Sequence, residues 1–168
     1  MLWITGKLRE RYLDIKCEMS NDLSYLGMHI QKEGSEISVT MEGYENDVLK
    51  QSGITGVRVT PATHDLFVPG RSEPLTSEEL KDFHTLTAKL LYLALRARPD
   101  IATAVSYLST RVQCANRDDR CKLNRVLMYL NGTRGKGLLL SCAGPLRVTG
   151  DIDAAFAMHE NGASQTGV

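Results

Sequence analysis

The chain has 168 residues, 42% of them apolar, and 20 Lys and Arg balance 20 Asp and Glu. That length suits one domain and part of another, with too much apolar content for a disordered chain. No apolar run approaches the roughly 18 residues of a membrane span. The four cysteines (Cys17, Cys114, Cys121, Cys142) form neither a C-x-x-C pair nor a zinc spacing, and no signal-like segment opens the chain. These features predict reduced thiols in an intracellular setting, cytoplasmic or nuclear and not secreted.

In chain order, Met1 to Thr5 (MLWIT) reads as a short buried strand. Lys7 to Lys16 reads as a short helix, with Leu8, Tyr12 and Ile15 at i, i+4 and i+7. Tyr25 to Gln31 and Glu36 to Met41, around Gly34, predict a β-hairpin; the second alternates Ile37, Val39 and Met41 with Ser38 and Thr40. Gly43 to Ser52 predicts a helix ended by Gly53. Residues 54–75 hold Pro61, Pro69 and Pro74 with Gly56 and Gly70, which forbid long regular structure, so a surface linker is expected with Leu66 and Phe67 tucked in.

Thr76 and Glu79 form the T-x-x-E pattern of a capping box. The helix it opens has an inner stripe of Leu80, Phe83, Thr87, Leu90, Leu91 and Ala94. Pro99 stops it and seeds a second helix, with Ile101, Ala104, Val105, Leu108 and Val112 on one face. Asn116 caps a third, with Leu123, Val126, Leu127 and Leu130 inward and Gly132 at its end. Three stripes joined by short turns predict a small bundle over residues 76–133. Gly137 to Cys142 and Leu146 to Asp153 read as two further strands. The fold class is therefore α+β.

Charge is uneven along this chain. From Lys89 to Lys136 there are ten Lys and Arg against Asp100, Asp118 and Asp119, a net +7, so the remainder carries −7. A basic helical block in a neutral protein points to a polyanionic partner for one face, or to a solvated helical surface. The four histidines are scattered and read as surface or core-edge residues.

The phrases SYLGMHI, EISVTMEGYENDVLK, VTPATHD, KLLYLALRARPDIATAVSYLSTR, LNRVLMYLNGTRGKGL and IDAAFAMHENGASQTG, in this order, resemble the Pol polyprotein of copia-type retrotransposons. The similarity runs through nearly the whole chain and is strongest from Leu90 to Leu138. It implies a palm edge and primer-grip-like hairpin over residues 1–53, a linker over 54–75, a thumb-like bundle over 76–133, and the start of an RNase H-like domain over 137–168. It further implies reverse transcriptase and RNase H activity in the full-length enzyme, with Mg²⁺ as its metal. The Tyr-x-Asp-Asp turn that supplies the polymerase carboxylates in that family would stand just before Met1. This chain is therefore expected to bind no cofactor and catalyse nothing alone.

The resemblance assigns Leu26, Gly27 and Met28 to the primer grip, where glycine lets backbone approach a sugar–phosphate chain. It assigns Arg96, Arg98, Lys122, Arg125 and Arg134 to phosphate contact by the thumb, which reads the shape of a duplex and not its sequence. Each of these could equally cap a helix end or pair with Asp100, Asp118 or Asp119; Arg98, beside Pro99 and near Asp100, has an alternative structural role at a helix junction. Asp153 matches the first RNase H metal ligand, with Asp151 on the same strand face as the alternative. Asn124, Met128 and Asn131 stand where the family is often basic, and Ala163 where a lysine is common, which implies weaker and less salt-sensitive binding. The expected partners are an RNA–DNA or DNA duplex, held without sequence preference, and the missing palm and fingers of the polyprotein. No membrane and no small-molecule substrate is expected. The other reading is a domesticated or relic helical interaction module with no nucleic-acid role.

Overall fold

A computed structural model describes residues 2–12, 15, 17–141, 153–155 and 165–167. The fold is α+β. It comprises α1 (Leu2–Arg11), β1 (Asp22–Tyr25), β2 (Met28–Glu33), β3 (Glu36–Thr40), α2 (Glu42–Ser52), α3 (Ser77–Ala94), a 3-10 turn (Pro99–Ile101), α4 (Ala102–Thr110), α5 (Arg117–Gly132), β4 (Leu138–Ser141), β5 (Asp153–Ala155) and β6 (Gln165–Gly167).

The helical body forms from local signals. Thr76 and Glu79 close the expected capping box at α3, and Asn116 and Asp119 close a second at α5, so orphan N–H groups are satisfied at both starts. Pro99 opens the turn that leads into α4. Gly53 takes a left-handed φ of 65° and ends α2. The inner stripe of α3 is rotated from the expected one: Leu86 and Leu93 are fully buried, while Leu80 and Leu91 lie at the margin. In α5, Leu123, Val126, Leu127 and Leu130 are all buried, as the spacing predicts. Met41, Val48 and Leu49 of the α2 region join α3, α4 and α5 in the same core.

Three expectations are corrected. Residues 2–5 belong to helix α1 and not to a strand. A strand needs a neighbour for its backbone groups, and a helix satisfies them within the segment. Trp3, Ile4 and Leu8 consequently stay exposed. The expected strand from Tyr25 to Gln31 is broken at Leu26–Gly27, a two-residue turn with φ of 50° and 78° that folds β1 back on β2. Residues 138–141 do not start a separate sheet. They pair antiparallel with β3, placing Leu138 opposite Val39 and Leu140 opposite Ile37. Gly137 permits this close approach, since a Cβ there would lie 2.3 Å from the Val39 carbonyl oxygen.

The resulting sheet runs β1-β2-β3-β4. Register puts Leu23, Ile30, Ile37, Val39, Leu138 and Leu140 on one face. Of these only Val39 is buried, and Leu140 is exposed. β5 and β6 pair with each other. Most of the expected strand from Leu146 to Asp153 lies outside the described residues. Residues 54–75 form no helix or extended strand. Leu66 is buried as expected, whereas Phe67 sits at the surface, edge-on to Tyr107 at 5.5 Å.

Candidate nucleic-acid interface

The residues singled out by sequence fall into three places. The first is the tip of the β1–β2 hairpin. The left-handed φ of Leu26 is a conformation that costs a side-chain-bearing residue about 1–2 kcal/mol. Its carbonyl accepts a 2.7 Å hydrogen bond from the Tyr92 hydroxyl of α3. The Arg96 guanidinium stacks over that same Tyr92 ring at 4.0 Å. The tip residues Leu26 and Gly27 and the cation Arg96 are thus joined through Tyr92, a residue whose part was not read from the sequence. Met28 lies at the core margin, and a Cβ on Gly27 would meet Met41 at 3.5 Å.

The second place is internal. Arg98 is 1% exposed and every N–H of its guanidinium is engaged. Nε donates to Asp100, Nη1 to Glu45 at 2.8 Å and to the Thr133 carbonyl, and Nη2 to Asp100 and the Thr133 hydroxyl. No donor remains for a phosphate, so Arg98 takes the structural role and not the binding one. The cause is the turn at Pro99, which aims the side chain inward at α2 and at the end of α5. Burial alone would lower the Arg98 pKa, but the hydrogen bonds to Asp100 and the charges of Asp100 and Glu45 raise it. Burial pushes Glu45 up despite Arg98. Asp100 also meets desolvation, but the hydrogen bonds from Arg98 and Tyr129 outweigh it and hold its carboxyl below the ordinary value. Arg134 lies at the rim of this region, exposed, with its guanidinium on the amide oxygens of Asn131 and Asn46.

The third place is a groove of about 520 Å³ between residues 58–70 and α5. Lys122 and Arg125 both line it. Lys122 Nζ donates to the Val68 carbonyl at 2.7 Å and lies 5.0 Å above the Tyr107 ring. Arg125 Nη2 donates to the Thr60 hydroxyl at 2.9 Å. Arg58 joins them from the linker, where no periodicity marked it in advance. Asp65 and Asp118 stand on the same groove. The Thr63 hydroxyl holds the Asp65 carboxyl below its ordinary pKa.

Ion pairing sorts the cations. Arg98, Arg111, Arg117 and Arg120 face carboxylates: Glu45 and Asp100, Asp119, Glu79, and Asp82. Among the described residues Arg58, Arg96, Lys122, Arg125 and Arg134 form no ion pair; their hydrogen bonds and ring contacts go to an aromatic ring, carbonyls, hydroxyls or amides, with Asp65 near Lys122 and Glu45 near Arg134 acting only through their charge. Their charge is the part left to act outward.

Asp153 opens β5, with Gly167 as its partner across the pair. Asp151 lies outside the described residues. Among the described residues no three His, Cys, Asp or Glu converge to hold a metal ion, so no donor set is found there for the Mg²⁺ that the resemblance implies. No helix among them is long and apolar enough to cross a membrane.

No family model matches the chain. No solved structure matches it either. Over 133 residues it is 26% identical to an uncharacterized mitochondrial protein of Arabidopsis thaliana, covering 79% of this chain and 55% of that protein. The chain thus spans about half the length of the relative it matches.

Proposed function

We propose that the chain is part of a copia-type retrotransposon polyprotein, running from the palm edge through a primer-grip hairpin and a thumb to the start of RNase H. It binds primer–template nucleic acid through the thumb and the hairpin, and performs no catalysis by itself. The observation that carries this reading is the sorting of charge. Lys122 and Arg125 on the third helix, with Arg58 beside them, form no ion pair with a carboxylate, although Asp65 and Asp118 share their groove. A duplex laid along that rim would replace neutral partners with phosphates, which attract cations without regard to sequence. The hairpin tip, held by Tyr92 next to Arg96, supplies a second contact. The half-exposed apolar face of the sheet supports a further partner, the palm and fingers of the same polyprotein, whose Mg²⁺ serves the full-length enzyme.

A helical interaction module without a nucleic-acid role is the second reading, favoured by the ion pairs of Arg111, Arg117 and Arg120. Filter binding with an RNA–DNA hybrid at two salt concentrations separates them. The first reading expects retention at low salt that falls as salt rises. No retention even at low salt leaves the interaction module.

A further inference from the structure

The face of α5 turned toward residues 58–70 has its own composition. Asp118, Cys121, Lys122, Arg125 and Met128 recur at helical spacing and form one stripe. They carry two cations, one carboxylate, a thiol and a thioether together, whereas the opposite stripe is Leu and Val. The groove they share with the linker has the volume of a small-ligand site, enough for one nucleotide and too little for a duplex to enter. Val68, Pro69 and Met128 give it an apolar wall.

Two details point to a ligand with both an anionic and a hydrogen-bond-donating end. The Nε of Arg125 is buried with no hydrogen-bond partner, although Nη2 of the same side chain is engaged. A buried guanidinium N–H without an acceptor is rare in folded proteins; the Arg125 side chain must turn to bring it onto an anionic oxygen in the groove. The two carboxylates each have one oxygen tied down, Asp65 Oδ1 by the Thr63 hydroxyl and Asp118 Oδ2 by the Ser72 N–H. Each keeps capacity for another donor.

We infer that this groove holds one unpaired nucleotide of a nucleic-acid strand, its phosphate against Lys122 and Arg125, its base on Val68, Pro69 and Met128, and its exocyclic amino group donating to Asp65 or Asp118. Carboxylates accept from the cytosine amino group in this way. The inference rests on the proposed function only for naming nucleic acid as the source of the phosphate.

Cys121 is an exposed thiol on this stripe, and Cys17 and Cys114 are exposed elsewhere. The test is the rate of iodoacetamide alkylation at each, read by peptide mass spectrometry, with cytidine 5′-monophosphate, uridine 5′-monophosphate or inorganic phosphate added. Cytidine monophosphate should slow Cys121 saturably and leave Cys17 and Cys114 unchanged. Uridine monophosphate and phosphate should need at least about tenfold higher concentration, for want of the amino group or the base. Lys122→Gln with Arg125→Gln should weaken protection by about tenfold or more, as for loss of two charge-assisted hydrogen bonds. If that double variant fails to fold, Arg58→Gln, at an exposed site, should still weaken protection severalfold. Absence of Cys121 protection, equal slowing at all three thiols, or equal protection by inorganic phosphate overturns the inference. Hybrid binding measured on the same preparation keeps the two readings apart. Retained hybrid binding with an unprotected Cys121 removes the groove alone.

Discussion

The two sides of α5 treat positive charge differently. On the side facing α3, Arg117 reaches Glu79 and Arg120 reaches Asp82, the same three-residue step on both helices, so the charges cancel in pairs. On the side facing the linker, Lys122 and Arg125 rest on a carbonyl and a hydroxyl and form no ion pair, with Asp65 and Asp118 on the same groove. The net +7 of residues 89–136 therefore overstates the field available to a partner. Paired cations hold helices together, and the unpaired ones are left to recruit.

This contrast can be broken from the paired side first. Arg98→Met should cost about 3–5 kcal/mol in urea unfolding, because it strands Glu45 and the Thr133 carbonyl in the interior. Arg134→Met, at an exposed site, should change stability by about 0.5 kcal/mol at most. A similar contrast holds between the helical core and the sheet. Phe83 is 0% exposed, and Phe83→Ala should cost about 3–5 kcal/mol. Ile30 is half-buried on a face with few buried neighbours, and Ile30→Ala should cost about 1 kcal/mol. Equal losses would mean that the sheet face is covered as well as the core.

A smaller effect sharpens the Arg98 cluster. The folded pKa of Asp100 lies below its ordinary value, so its contribution to stability is complete above the unfolded pKa, near 3.8. It is lost as pH falls through the folded pKa. Glu45 has the opposite sign: its pKa is raised, so protonation near and above 4.5 favours the folded state. Asp100→Asn should therefore flatten the loss of stability below about pH 4 seen in urea titrations. An acid limb unchanged in the variant would show that Asp100 is not the group responsible.

Features encoded locally were legible in the sequence, and features encoded by distant pairing were not. The Thr76–Glu79 capping box and the Asn116 cap were, since each lies within one turn of its helix start, whereas the part Asp119 plays in closing a second box was not read. The α5 stripe was legible because four buried residues repeat at helical spacing. The place of residues 138–141 was not, because β3 lies about a hundred residues upstream and only the space cleared by Gly137 brings them together. The turn at Leu26–Gly27 was missed because a leucine with positive φ runs against its usual preference. At the candidate interface, Lys122 and Arg125 were named by the family resemblance, within a stretch whose net charge marks it as basic. Arg58 sits in a proline-rich stretch with no period to reveal it. The burial of Arg98 follows from the turn at Pro99, which sequence marks as a junction without saying which side faces in.

The most direct measurement is the salt dependence of hybrid binding for two triple variants, each losing three positive charges. In one, Arg58, Lys122 and Arg125 become Gln; in the other, Arg111, Arg117 and Arg120 do. If unpaired cations carry the phosphate contacts, the first variant's log–log slope should become shallower by about 2–3, while the second stays near the parent value. Equal loss of slope in both, or a larger loss in the second, would contradict the claim that pairing with carboxylates decides which cations face nucleic acid.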